Sequence, residues 1–158
     1  MSLIRALGNS PDDVALGTEL VREYVIATAE EIGQDIEIVL PLIPELHDFP
    51  ARYLSGGAFL IAEEPEGVAG CVGVTPMDGG TCEMNRLWVR EAFRRRGLAR
   101  ALSVASMDAA RELGFTRMIL DVLSERAVAI ALYRSLGFAD TAPKHDYPFD
   151  MVFLARDL

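Results

Sequence analysis

One segment near the middle of the chain constrains the fold more than any other. Residues 81–89 have the composition of a β-strand, residues 90–97 hold four arginines and one glycine, and residues 98–113 repeat apolar residues at helical spacing. The first turn of a helix has unpaired backbone N–H groups and a partial positive charge. Gly97 lets a ligand approach the backbone, because it has no Cβ. This order of strand, loop and helix predicts a site for an anion such as a pyrophosphate.

The anion site competes with a simpler interpretation, an ordinary turn whose arginines are solvated or ion-paired. The two common nucleotide-binding motifs, GxGxxG and GxxxxGK followed by Ser or Thr, do not occur in the sequence. The net charge of the chain is −9, whereas residues 83–100 contain six arginines and only two glutamates. This distribution favours a local anion site and argues against a nucleic acid bound by overall charge.

Hydrophobic periodicity and turn residues predict a single mixed domain over residues 1–158, of the α/β (α+β) class, with a central sheet. Residues 58–89 have the pattern of three antiparallel strands joined by tight turns. Pro41 and Pro44 would interrupt a long helix in residues 34–57, which leaves a short helix or a loop there. The expected strands are residues 3–7, 58–62, 68–74, 81–89, 118–123 and 149–155, and the expected helices are residues 11–33, 98–113 and 127–136.

Several classes of protein are not expected from this sequence. It has no run of about 18 apolar residues that could span a membrane, and its first apolar stretch is too short for a signal peptide. Cys71 and Cys82 form no CxxC motif, and adding His47 and His145 gives no zinc-ligand spacing. Buried, unreactive thiols are the expectation for both cysteines. We therefore expect a cytoplasmic protein.

Two motifs resemble those of the GNAT family of N-acetyltransferases. Arg94–Ala99, RRRGLA, is similar to motif A of that family, Q/R-x-x-G-x-G/A. Ala129–Phe138, AIALYRSLGF, is similar to motif B, A-I-x-L-Y-x-x-x-G-F. The resemblance covers nearly the whole chain and is weakest in residues 34–57, where the family varies with its substrate. It implies the GNAT fold, a central mixed and mostly antiparallel sheet flanked by helices.

The resemblance also implies acetyl-CoA as co-substrate and no required metal. Backbone groups of the strand at Leu87, Trp88 and Val89 would bind the pantetheine arm. Many relatives have an Asn seven residues before the motif-B tyrosine, where it contacts the CoA arm; this chain has Arg126 there, which we count with the cofactor-binding residues. The pyrophosphate would be held by backbone amides of Arg94, Arg95, Arg96, Gly97, Leu98, Ala99 and Arg100.

Two residues are candidates for proton transfer. Alkyl amines have a pKa near ~10 and need a base before they can attack a thioester. Glu83 lies six residues before Val89, the offset at which the histone-modifying branch of the family carries a glutamate. Glu83 is therefore the candidate base, directly or through a water molecule; the alternative is a carboxylate that orients substrate or forms a salt bridge. Tyr133 matches the motif-B tyrosine, which implies a general acid for the leaving thiolate; a core aromatic residue is the alternative.

The faces of the fourth strand follow from the two-residue period of a β-strand. Strict alternation predicts Glu83, Asn85, Leu87 and Val89 on one face. It predicts Cys82, Met84, Arg86 and Trp88 on the other.

The acceptor side is less constrained by the sequence. Asn85 and Tyr147 are the candidate substrate contacts, and residues 144–148 follow motif B in a segment that can close over the acceptor. His47 and His145 are further candidates for lining the cleft. Six acidic residues would either attract a cationic amine or serve only solubility. They are Glu30, Glu31, Asp35, Glu37, Glu45 and Asp48.

The sequence thus predicts an acetyl-CoA-dependent N-acetyltransferase that moves an acetyl group to a primary amine by direct attack. The acceptor would be a small molecule or a peptide, with no nucleic acid or membrane as partner, and a homodimer is one option for its assembly. Two other functions stay open. One is a non-catalytic CoA-binding sensor or regulatory module of the same fold, and the other is a phosphate-binding protein unrelated to CoA.

Overall fold

One sheet of seven strands organises the computed structural model, which describes residues 2–158. The strands occur in the spatial order β1-β2-β3-β4-β5-β7-β6, and helices flank the sheet. The strands are β1 (Leu3–Ala6), β2 (Ala58–Glu64), β3 (Gly67–Pro76), β4 (Thr81–Val89), β5 (Arg117–Leu123), β6 (Ala139–Asp140) and β7 (Met151–Asp157). The helices are α1 (Pro11–Glu31), α2 (Ile36–Val39), α3 (Phe49–Tyr53), α4 (Leu98–Glu112) and α5 (Ala127–Ser135).

The mixed, mostly antiparallel sheet predicted from the sequence is confirmed. Every neighbouring pair of strands is antiparallel except β4 and β5, which are parallel. Residues 34–57 form short helices, as expected: α2, α3 and two turns of 3-10 helix between them. The short strand β6 was not predicted, because two exposed residues give no periodic signal.

The pairing of β4 with β5 is short. Only Thr81–Glu83 pairs with β5, opposite Arg117, Met118 and Ile119. Both strands continue beyond this point, β4 to Val89 and β5 to Leu123. They therefore separate, and among residues 2–158 the edge of β4 that faces β5 has no paired strand residue beyond Glu83.

A β-bulge overturns the predicted faces of β4. Arg86 has a φ of +54°, and the register with β3 moves from Gly73 opposite Asn85 to Cys71 opposite Trp88. One residue of β3 then faces two residues of β4, which reverses the alternation beyond the bulge.

Beyond the bulge, the packing of β4 shows which face each residue occupies. Leu87 and Val89 pack with Cys82 and Met84 against the core beneath α4. Trp88 packs on the opposite side, against the cluster beneath α1. The prediction that Leu87 and Val89 share a face with Glu83 was wrong.

Two hydrophobic clusters lie on opposite faces of the sheet. The cluster beneath α1 and α3 contains Phe49, Tyr53 and Phe59, whose ring centroids are 4.9–5.1 Å apart. Cys71 and Cys82 are buried, one in each cluster, and burial raises the pKa of the Cys82 thiol to about 11. In residues 2–158, no helix is both long enough and apolar enough to cross a membrane.

Candidate active site

A cavity of about 750 Å³ opens where β4 and β5 separate. Its walls come from the second half of α1, from β4, β5 and α5, and from the loop before α4. It follows β4 from Glu83 to Val89, a distance of roughly 20 Å at about 3.3 Å per residue. Arg94 and Ala99 line it beyond Val89, and His145 lines it beside Glu83. The predicted anion loop and the predicted base therefore border one continuous space.

The start of α4 offers backbone donors to this space. The N-cap is Gly97 with a φ of +78°, and Arg95 two residues earlier also has a positive φ of 65°. The amides of Leu98, Ala99 and Arg100 have no intrahelical partner, because they belong to the first turn of the helix. No side chain within residues 2–158 caps the helix in their place. A Cβ built on Gly97 meets no protein atom within 4 Å. The geometry fits a bound phosphate group at this helix terminus.

The loop arginines are partly engaged by the protein itself. Arg94 lies 5.2 Å from the centre of the Trp88 ring and donates from Nε to the Val89 carbonyl at 3.0 Å. Arg96 pairs with Glu66 at 3.2 Å, and Arg100 donates to Ser135 Oγ at 2.8 Å. Positively charged side chains therefore lie on the same loop and helix turn as the amides of residues 98–100. The Arg96–Glu66 ion pair is the kind of contact that the alternative interpretation, an ordinary turn, predicts.

Arg126 lines the cavity but is held by α1. Its guanidinium donates to both carboxylate oxygens of Glu31 at 2.9 Å and to Thr28 Oγ1 at 3.1 Å. It also lies 5.9 Å from the centre of the Tyr24 ring. Arg126 thus connects α1 to the start of α5. These hydrogen bonds use its Nε and Nη2.

Glu83 is at the other end of the cavity and is paired with a histidine. His145 Nε2 lies 2.8 Å from the Glu83 carboxylate, and Asn85 Nδ2 lies 3.5 Å from it. The side chain of Glu83 is 13% exposed, whereas that of His145 is 40% exposed. His145 therefore connects a mostly enclosed carboxylate to solvent.

Asp121 is a site residue that the sequence analysis missed. It accepts a hydrogen bond from the Tyr147 hydroxyl at 3.0 Å, and burial together with the charge of Glu83 raises the pKa of its carboxyl. Ligand atoms of Glu83, Asp121 and His145 lie within 4.8 Å of one another, a grouping that could also hold a metal ion. Sequence spacing does not reveal the grouping, because three separate segments contribute to it. The available signal was a single carboxylate inside the apolar run 118–123.

Asn85, Tyr133 and Tyr147 also line the cavity. The Asn85 side chain is fixed by hydrogen bonds with Thr75 Oγ1 at 3.0 Å and with the Tyr53 hydroxyl at 3.1 Å. Tyr133 is 7% exposed, and burial raises the pKa of its phenol. Its hydroxyl therefore stays protonated at neutral pH, the form that a general acid needs.

Of the six acidic residues considered above, Glu31 alone lines the cavity. Glu31 is paired with Arg126, while Asp35 and Asp48 cap α2 and α3. Glu45 is fully buried. His47 is exposed and does not line the cavity, so only His145 of the two candidate histidines reaches it.

Glu45 is the centre of a buried polar network behind the bulge. Its Oε2 accepts from Arg86 Nε at 2.9 Å and from the Tyr53 hydroxyl at 2.8 Å, and Arg52 Nε lies 3.8 Å away. Burial alone would raise the pKa of Glu45, but the charge of Arg86 and the hydrogen bonds from Arg86 and Tyr53 hold it below its usual value. The network holds the side chain of Arg86, the residue at the β-bulge. The bulge in turn determines which side of the sheet Leu87, Trp88 and Val89 face.

This pKa predicts a loss of stability in acid. A carboxyl whose pKa is lower in the folded state stabilises the fold fully above its unfolded pKa of about 4.3, and this contribution disappears as the pH falls through the folded pKa. We expect the urea midpoint to fall between about pH 5 and about pH 2, and to fall less in Glu45→Gln. An equal fall of the urea midpoint in both proteins would show that Glu45 is not the source of the loss of stability in acid.

Comparisons with known proteins agree with this geometry. Residues 30–138 match the acetyltransferase (GNAT) family. An uncharacterised N-acetyltransferase of Schizosaccharomyces pombe is 34% identical, over 92% of this chain and 88% of that protein. Human N-acetyltransferase 8 is 37% identical, but the match covers 65% of this chain and 48% of the human protein. The structure of a putative acetyltransferase from Salmonella typhimurium, solved with its cofactor acetyl-CoA, superposes with a TM-score of 0.73 at 29% identity and covers 99% of this chain and 93% of that chain.

Proposed function

Because the chain belongs to the GNAT family of acetyltransferases, we propose that it transfers the acetyl group of acetyl-CoA to a primary amine in the cavity between β4 and β5. GNAT enzymes are acetyl-CoA-dependent acyltransferases, and the Salmonella relative is described with acetyl-CoA as its cofactor. We infer that the chain is one catalytic domain, since strands from Leu3 to Asp157 join one sheet. The observation that carries the proposal is the single cavity that joins free helix-terminal amides to Glu83.

The donor would lie along β4. The amides of residues 97–100 fit its pyrophosphate, with Arg94 and Arg95 adding positive charge. The separated edge of β4 would offer backbone groups of Leu87, Trp88 and Val89 to the amide groups of the pantetheine arm, with the Val89 carbonyl also accepting from Arg94. These interactions need no metal ion and direct the thioester toward Glu83.

Glu83 would take the proton of the attacking amine. As the amine nitrogen bonds to the acetyl carbon, its proton passes to Glu83, directly or through a water molecule. His145, at 2.8 Å and partly exposed, gives that proton a path to solvent. Asn85 and Tyr147 would contact the acceptor, since both line the cavity. Tyr147 also donates a hydrogen bond to Asp121, which lies beside Glu83.

Tyr133 would protonate the sulfur as the carbon–sulfur bond breaks. The hydroxyl is protonated at neutral pH and belongs to a residue that lines the cavity, so it has a proton to give to the leaving sulfur. We expect Tyr133→Phe to lower kcat by at least about 10²-fold, the lower end for a positioned general acid, while the affinity for acetyl-CoA stays within about threefold. Steady-state kinetics with varied acetyl-CoA would measure both. An unchanged kcat would make Tyr133 a core aromatic residue.

Donor binding can be tested by thermal unfolding with acetyl-CoA or with ATP at equal concentration. A ligand at about 100 times its Kd adds about 2.7 kcal/mol of stability, a shift of several degrees for a domain of this size. We expect a shift with acetyl-CoA and little with ATP. Equal shifts with both would favour a phosphate site unrelated to CoA, and no shift with acetyl-CoA would contradict the proposal.

A further inference from the structure

A second cavity adjoins the acceptor end of the first. Its volume is about 180 Å³, and it lies between α1, α2 and the strands β5 and β7. Seven residues line both cavities, among them Tyr24, Asp121 and Tyr147. The smaller cavity therefore borders Asp121, whose carboxylate lies within 4.8 Å of the carboxylate of Glu83, the proposed base.

The smaller cavity is apolar. The eight residues that line it alone are all apolar. They come from four parts of the chain: α1 with Ile32, residues 39–43 with Val39 and Ile43, Leu123 at the end of β5, and residues 149–151 before and at the start of β7.

Three of the polar side chains at the boundary between the two cavities are held by protein partners. Arg86 pairs with Glu45, Arg126 pairs with Glu31, and Tyr147 donates to Asp121. Beyond this boundary the lining has only apolar side chains, so a polar group placed among them would lose its water without gaining a side-chain hydrogen bond, which is unfavourable.

We propose that the acceptor is a primary amine with an apolar substituent, and that this substituent fills the smaller cavity. The inference rests on the proposed function, because it places the amino group beside Glu83 and Asp121. At about 30 Å³ for the volume of one water molecule, the smaller cavity has room for roughly six non-hydrogen atoms. An unbranched or branched aliphatic chain, or one aromatic ring, is of this size.

A series of amines tests the substituent. Propylamine to hexylamine share nearly one amine pKa and differ only in methylene groups, and each matching amino alcohol replaces the last methyl by a hydroxyl. We expect kcat/KM to rise about fourfold per methylene, the ratio for burial of one CH₂ group. We expect each amino alcohol to react at least tenfold more slowly than the alkylamine of equal length.

Two neighbouring residues provide a matched pair of variants. Val39 lines the smaller cavity, whereas Ile38 is 64% exposed on the same short helix. Val39→Phe should lower kcat/KM for hexylamine at least tenfold and leave propylamine within about threefold, because added bulk removes space needed only by the longer chain. Ile38→Phe should change neither. A preserved thermal shift with acetyl-CoA in both variants shows that the fold and the donor site are intact.

The outcomes separate the inference from the proposed function. Turnover that rises with chain length and is lost in Val39→Phe supports both. Turnover that is equal for alkylamines and amino alcohols, or insensitive to Val39→Phe, overturns the apolar acceptor and leaves the acetyltransferase. No turnover of any amine, despite a thermal shift with acetyl-CoA, overturns both.

Discussion

Replacement of Glu83 by Gln is expected to lower kcat by about 10²- to 10⁴-fold, the usual contribution of a positioned general base. Gln has nearly the same shape and can still hydrogen-bond His145, which lies 2.8 Å from the Glu83 carboxylate, so the change removes basicity rather than the fold of the site. The KM for acetyl-CoA should change little, because the proposed pyrophosphate site lies roughly 20 Å away along β4.

The control for this prediction is Glu112→Gln, an exposed residue at the end of α4. Both proteins should show the same thermal shift with acetyl-CoA. If Glu83 only orients the acceptor, the KM for the amine would rise while kcat stays within about threefold. That pattern would remove Glu83 from the role of base.

Replacement of Glu45 by Gln is expected to lower the free energy of unfolding by about 3 kcal/mol. The change leaves the guanidinium of Arg86 opposite a neutral side chain, in a network with no exposed surface at position 45. Breaking a buried ion pair by removing one partner typically costs about 3–5 kcal/mol. The lower end applies here, because Arg86 keeps 22% of its side chain in contact with solvent.

Urea unfolding at neutral pH measures this effect. Glu37→Gln is the matched control, since Glu37 is exposed on α2, and it should stay within about 0.5 kcal/mol of the unchanged protein. Because Arg86 lines the active-site cavity and forms the bulge, we also expect Glu45→Gln to raise the KM for the amine. A loss of stability below about 1 kcal/mol would show that the network around Glu45 contributes little to the stability of the fold.

The parts of the fold that follow local rules were predictable from the sequence. Gly97 and the arginines before it indicated the start of α4, and periodic apolar residues gave α4 and α5 within about one residue. The two motifs indicated the family, which the comparisons confirm. These features depend on neighbours within one element or one turn.

The features that the sequence did not reveal depend on contacts between distant segments. The bulge at Arg86 is stabilised by Glu45, 41 residues earlier, and no alternation pattern contains that information. Asp121, His145 and Glu83 come together from β5, the segment before β7, and β4. The sequence likewise gave no sign that Glu45 is buried, because its partners Arg86 and Tyr53 approach it only in the folded chain.

The most direct test of the central claim is to follow both products of one reaction. The protein is incubated with acetyl-CoA and the series of amines, free CoA is measured by its thiol, and the N-acetylated amine is measured by mass spectrometry. We predict that the two products appear in equal amounts, only when the amine is present, and far more slowly with Glu83→Gln. Acetyl-CoA that stabilises the protein but yields neither product with any amine would contradict the claim and identify a CoA-binding module without catalysis.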